Sequence, residues 1–184
     1  MKKLACLILS LLMLICTIGC NAKSTEMTLN DGILENDYFS LDASAYDVFR
    51  IGAEETGRES ILAYAVLNTG NGPWKEFFRV DGIKRNNPLP NKAYFEAAFK
   101  TSWEEWIDVA SSELLEYETF STDSANGLRA SALQILTDGS HAYITMIMLV
   151  TNDKMTFTIY FYDYDMDTEL DDIYTNAVNS FTLK

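Results

Sequence analysis

Residues 141–162 read HAYITMIMLVTNDKMTFTIYFY, two apolar runs parted by a short polar segment. Ala142, Ile144, Met146, Met148 and Val150 alternate with His141, Tyr143, Thr145, Ile147 and Leu149. Beyond residue 154, Met155, Phe157, Ile159 and Phe161 alternate with Thr156, Thr158, Tyr160 and Tyr162. A period of two over such lengths dictates two strands joined by a tight turn. Taking 151–154 as a four-residue turn pairs Val150 with Met155, which gathers both wholly apolar sets on one face. The expectation is a sheet with one dry face and one mixed face.

Working outward, residues 128–136 form another strand, turned by Asp138-Gly139 into His141. A two-residue turn there pairs Ile135 with Ala142 and Leu133 with Ile144, extending the dry face. Upstream, Phe95, Phe99, Trp103, Trp106, Ala110, Leu114 and Tyr117 recur at steps of three and four, predicting a long central helix that starts near Asn91. Downstream, Leu170, Ile173, Tyr174, Ala177, Val178 and Phe181 make the stripe of a last helix, capped by Asp167 or Thr168. That helix is the expected lid over the dry face. Earlier in the chain, residues 38–41, 46–51 and 61–68 read as strands, with a charged loop at 54–60 and a Gly/Pro break at 69–73. Asn30-Asp31-Gly32 is a turn signal. Antiparallel hairpins with helices between and after them make an α+β domain, an antiparallel sheet flanked by the two helices.

The chain has 184 residues, 48% of them hydrophobic and 22% charged, enough for one folded domain with a real core. Its net charge of −13 argues against nucleic acid, since phosphate binding needs clustered Lys and Arg. All 3 cysteines, Cys6, Cys16 and Cys20, lie in the first twenty residues. Nothing beyond Cys20 can form a disulfide, hold zinc through thiolates or serve as a cysteine nucleophile.

Met1-Lys2-Lys3 is a basic start, and residues 4–18 are almost unbroken apolar sequence. The run is short for a membrane span, which needs about 20 residues, and it fits the core of a signal peptide. It ends in Thr17-Ile18-Gly19-Cys20, which resembles the lipobox of bacterial lipoproteins, with Thr17 where leucine is usual. That resemblance implies cleavage after residue 19, lipid (palmitate among the acyl chains) on Cys20, and a domain held at the outer face of a cell membrane, or at an outer membrane in a two-membrane envelope. Residues 20–36 would be the lipidated cysteine and its tether, and residues 37–184 the domain.

The order of strands, long helix, hairpin strands and a final helix ending Asn179-Ser180-Phe181 resembles the PsbP-like (DcrB-like) domains found in small bacterial lipoproteins. Phe39-Ser40-Leu41 is similar to that family's opening strand, although Asp42-Ala43-Ser44-Ala45-Tyr46 replaces the proline and tryptophan that usually follow. The resemblance spans residues 37–184 and implies a layered sandwich with a non-catalytic accessory or binding role. A cystatin-like sheet and helix is the alternative fold.

Residues that could carry chemistry are few. His141 is the single histidine, and Ser140 beside it points to the opposite face, so no triad forms there. Asp163, Asp165 and Asp167 match the first positions of a calcium loop, but Thr168 and Tyr174 stand where that loop needs Gly and Glu. No cofactor motif is present, and metal, cofactor and catalytic residues are expected to be none. The segment 74–92 is different: Lys75, Arg79, Lys84, Arg85 and Lys92 face only Glu76 and Asp81, interleaved with Trp74, Phe77 and Phe78. Aromatic residues and Arg are enriched at interface cores, so Trp74, Phe77, Phe78, Arg79, Lys84 and Arg85 are the candidate partner-binding residues. The reading is an envelope-bound lipoprotein whose domain binds an unknown envelope protein or ligand. A carboxylate-dependent hydrolase and a purely structural envelope protein are the alternatives.

Overall fold

The computed structural model describes residues 23–56, 59–68, 76–84, 89–100, 109–166 and 172–184. Cys20, Trp74, Arg85, Trp103, Trp106 and Asp167 lie outside them. Seven strands form the main antiparallel sheet: β4 (Asp47–Thr56), β5 (Glu59–Asn68), β6 (Glu76–Lys84), β7 (Val109–Ser121), β8 (Ala125–Leu136), β9 (His141–Thr151) and β10 (Met155–Met166). Their order across the sheet is β4-β5-β6-β10-β9-β8-β7. A smaller sheet runs β1 (Thr28–Asn30), β2 (Ile33–Glu35), β3 (Phe39–Asp42) and β11 (Thr182–Leu183). The described residues also include two helices, α1 (Lys92–Lys100) and α2 (Asp172–Ser180). The domain is α+β, and neither sheet closes into a barrel.

Strands β9 and β10 bury apolar side chains on both faces of the main sheet, which corrects the expectation of a single dry face. Val150 stands opposite Thr156 and Leu149 opposite Phe157, so Val150 does not pair with Met155. The turn has three residues, with the Lys154 amide donating to the Thr151 carbonyl at 3.0 Å and Lys154 itself at φ 70°. A type I turn completed by a left-handed residue is the usual three-residue hairpin loop. The β8–β9 loop is also one residue away from expectation. Ile135 faces His141 rather than Ala142, and Gly139 takes the left-handed position at φ 87°. Each one-residue slip moves a strand's whole side-chain set to the other face.

Ile147 and Leu149 therefore join Phe157, Ile159, Phe161 and Val80 on one face. There they pack under Leu34, Phe39 and Leu41 of the small sheet and under Tyr174, Ala177 and Val178 of α2. On the other face Ile144, Met146, Met148 and Tyr162 join Leu128, Ala130 and Ala132 beneath Phe95 and Phe99 of α1. The molecule is three-layered, and strand β9 is buried on both sides.

Two further boundaries differ from the sequence reading. The predicted long helix stops within the described residues at Lys100, and Ala110, Leu114 and Tyr117 belong to edge strand β7. The folded part begins inside the segment 20–36 assigned to a tether: β1 and β2 form a hairpin through Asp31 and Gly32, with φ of 49° and 80°, and Leu34 is fully buried. Among the described residues no helix is long and apolar enough to cross a membrane.

Candidate functional site

Helix α1 covers only part of its face of the sheet. Asn91 ends the preceding loop and caps the helix, its Oδ1 accepting the Tyr94 amide at 3.1 Å. Beside that cap no described residue covers the sheet, leaving a groove of about 480 Å³. Strand β10 forms its floor through Thr156, Thr158 and Tyr160; β6 contributes Asp81 and Ile83, β9 contributes Met148 and Val150, and the helix side supplies Leu89, Pro90, Asn91 and Tyr94.

Period-two geometry accounts for this composition. Thr156, Thr158 and Tyr160 share a face because they alternate along one strand, and Thr158 lies between Met148 on one neighbour and Asp81 on the other. Asp81 is 8% exposed and receives the Arg79 guanidinium at 3.0 Å. Burial pushes the Tyr160 phenol well above its ordinary range, and the Asp81 carboxylate adds to that, while Arg79 and a hydrogen bond with Thr158 oppose it. Tyr160 is thus a neutral hydroxyl at any physiological pH. Thr156 is 9% exposed, and its Oγ1 is buried with no hydrogen-bond partner among the described residues. A groove with apolar walls and a few fixed polar groups is suited to binding an amphipathic molecule. Asp81 is the one carboxylate among its described lining residues.

A smaller hollow of about 190 Å³ lies on the opposite face between α2 and strands β7 and β8. Its hydroxyls are paired internally, Thr145 Oγ1 lying 2.6 Å from the Tyr174 hydroxyl and 2.8 Å from Ser131 Oγ, and Arg129 forms ion pairs with Glu116 at 3.1 Å and Glu118 at 3.4 Å, its buried Nε making no hydrogen bond among the described residues. It is a fastening between helix and sheet.

The expected partner-binding residues are only partly brought together. Phe77 and Phe78 lie in interior strand β6, opposite Tyr162 and Phe161. Arg79 is committed to Asp81 at the groove's edge, and Lys84 is exposed at the end of the same strand. His141 is half-buried at the start of β9. Asp163 is 1% exposed inside β10, and Asp165 also belongs to that strand, so neither sits in a calcium-type loop. Among the described residues no three acids, histidines or cysteines gather as metal ligands.

Sequence reasoning missed the groove residues Asp81, Asn91, Tyr94, Thr156, Thr158 and Tyr160. Their signal was the polar half of the β10 alternation, which reads as a solvated face until α1 is placed beside it.

No family model matches the chain, and no curated protein matches it. Among solved structures, the solution structure of cyanobacterial PsbP (CyanoP) from Synechocystis sp. PCC 6803 superposes with a TM-score of 0.51 at 13% identity, covering 90% of this chain and 96% of that one. The fold is therefore PsbP-like, as the order of elements implied. At that identity the likeness concerns the fold alone.

Proposed function

We propose that this protein is an extracytoplasmic lipoprotein, anchored to the membrane through lipid on Cys20, whose PsbP-like domain is a binding or accessory module that uses the groove beside α1. The observation that carries the reading is the buried Thr156 hydroxyl, without a partner among the described residues, in a groove lined by apolar and hydroxyl-bearing residues together with Asp81 and Asn91. A buried donor without a partner is costly, and a bound molecule would satisfy it. The anchor rests on the leader: a basic start, an apolar run and a small residue before Cys20. Two or more acyl chains make such anchoring stable. Arg79 and Lys84 belong to β6, the strand that supplies Asp81 and Ile83 to the groove, which supports Arg79 and Lys84 as part of the contact surface for a partner.

The anchor is tested by metabolic labelling with an acyl-chain probe. Cys20→Ser should abolish labelling and release the domain from membranes. Labelling that persists in the variant would show the lipid to be elsewhere.

A further inference from the structure

The groove reaches the end of the sheet at which the N-terminal segment is tied. The Lys23 ammonium lies 5.1 Å above the Tyr38 ring and 3.5 Å from the Lys184 carbonyl oxygen. Tyr38 donates its hydroxyl proton to Asp153 in the β9–β10 turn, Ser124 Oγ donates to the same Lys184 oxygen at 3.3 Å, and the Asn152 amide donates to the Ser124 carbonyl at 3.0 Å. Lys23 is thus held at the pole made by that turn. Two residues, Asn21 and Ala22, separate it from Cys20, three chain steps with a reach of roughly 10 Å at full extension. Lipid on Cys20 would keep this pole against the bilayer.

The groove's lining is graded from that pole inward. The rung beside the turn pairs Val150 with Thr156 and Thr156 with Ile83, mostly apolar. Two residues further in, roughly 7 Å, Thr158 stands between Met148 and Asp81, and beyond it comes Tyr160. The first rung thus sets the Thr156 hydroxyl between two apolar side chains, and the next replaces one of these flanks with the Asp81 carboxylate, so polar groups increase away from the pole. That order matches a lipid standing in the bilayer, with its headgroup uppermost. The polar groups are hydroxyls, a carboxamide and a carboxylate already paired with Arg79, an interleaved set of donors and acceptors with no unopposed charge. Tyr94, 47% exposed at the rim, offers a flat apolar face. Hydroxyls that both donate and accept, with a C–H face between them, are the chemistry of a sugar.

We propose that the groove receives the sugar headgroup of a glycolipid resident in the bilayer to which the domain is tethered, the lipid's chains remaining in the membrane and its first apolar atoms passing Val150 and Ile83. This rests on the lipoprotein reading above.

The test uses the full chain in phosphatidylcholine vesicles with and without diglucosyldiacylglycerol, together with a soluble arm containing methyl glucoside. Hydrogen exchange is read across β6 and β10, and acyl labelling of Cys20 is followed in the same preparations. The glycolipid should slow exchange at residues 81–83 and 156–160, and phosphatidylcholine alone should not. Thr156→Val should raise the glycolipid fraction needed by about tenfold, the value of one hydrogen bond. Tyr94→Ala, at an exposed position, should also weaken protection and leaves the proposal testable should the Thr156 variant fold poorly. Equal protection by phosphatidylcholine alone would overturn the headgroup assignment, and protection by methyl glucoside at matched sugar concentration would overturn the membrane source. An acylated, membrane-bound chain that no vesicle protects would sink the groove proposal while leaving the anchor standing. Absence of acyl label on Cys20 would remove both.

Discussion

The hydroxyl of Tyr174 lies 2.6 Å from Oγ1 of Thr145, and Thr145 in turn lies 2.8 Å from Ser131 Oγ. Helix α2 is thereby joined through the middle of β9 to β8, across a face whose buried residues are mostly apolar. Burial drives the Tyr174 phenol upward, partly offset by the Thr145 hydrogen bond, so it stays a neutral donor. Tyr174→Phe should cost about 0.5–1.5 kcal/mol, the net worth of one internal hydrogen bond, read as a lowered urea midpoint with unchanged slope. Ile173 is only half-buried beside it, so Ile173→Ala should cost less than Val178→Ala. The reverse ranking would mean that α2 is rotated on the sheet.

Asp153 gives the fold a dependence on acid. Burial works to raise its pKa, but hydrogen bonds from Thr151 and Tyr38 outweigh that and leave it below the ordinary value. A carboxylate lowered in the folded state stabilises at every pH above its unfolded value of about 3.9, and the contribution is lost as pH falls through the folded value. Asp153→Asn should therefore be less stable than wild type at neutral pH, and the gap should narrow below about pH 4. Chemical denaturation at pH 7 and pH 3 measures it; a gap equal at both would remove Asp153 from the acid response.

Arg79 and Lys84 share a strand but should behave differently. Arg79→Glu sets a second carboxylate beside buried Asp81 and should cost about 1–2 kcal/mol, discounted because Arg79 is partly exposed. Lys84→Glu, on an exposed side chain, should shift stability by less than about 0.5 kcal/mol. Thermal unfolding of the two variants separates a structural ion pair from an exposed strand-end charge.

Gly127 faces Phe120 across the β7–β8 pair, and a Cβ there would stand 1.9 Å from the phenyl Cε2. The ring would have to leave, losing its contact with Phe181 at 6.1 Å. Gly127→Ala should cost about 1–3 kcal/mol, as overpacking does. In a Phe120→Ala background the same change should cost far less, a coupling that a double-mutant cycle reads directly.

What was legible in the sequence, and what was not, divides along local geometry. The β1–β2 hairpin was legible because Asp31-Gly32 admits the two-residue turn that takes φ above zero at both positions. The strands on either side of residues 137–139 and 152–154 were legible as strands, but their registers were not. A left-handed Lys154 has no compositional signature, and Asp138-Gly139 suggests a shorter loop than the one that forms. Strand β7 was hidden for a different reason. Its register shifts between Val109 and Ser111 and again between Leu114 and Glu116. Each bulge advances the strand by one residue, so its half-buried positions fall at Val109, Ser112, Leu114, Tyr117 and Phe120. Steps of three, two, three and three imitate a helical stripe. The groove was invisible for want of α1's position, because Thr156 and Tyr160 look like any solvated strand face until a helix ends beside them.

The order β4-β5-β6-β10-β9-β8-β7 also has a kinetic meaning. Strands β4 to β6 form one meander of sequence-adjacent hairpins, β7 to β10 form another, and the two meet only along β6 and β10. Every other pairing in the main sheet closes a short loop, whereas this one joins residues 76–84 to residues 155–163, and such long-range pairing forms slowly. Until it does, β10 carries an open hydrogen-bonding edge with Phe157, Ile159 and Phe161 along it, a surface prone to aggregation. The groove is built across this same junction, with Asp81 and Ile83 on one bank and Thr156, Thr158 and Tyr160 on the other. A molecule held there would bind only chains in which the two halves have met, drawing the late step of folding forward by mass action.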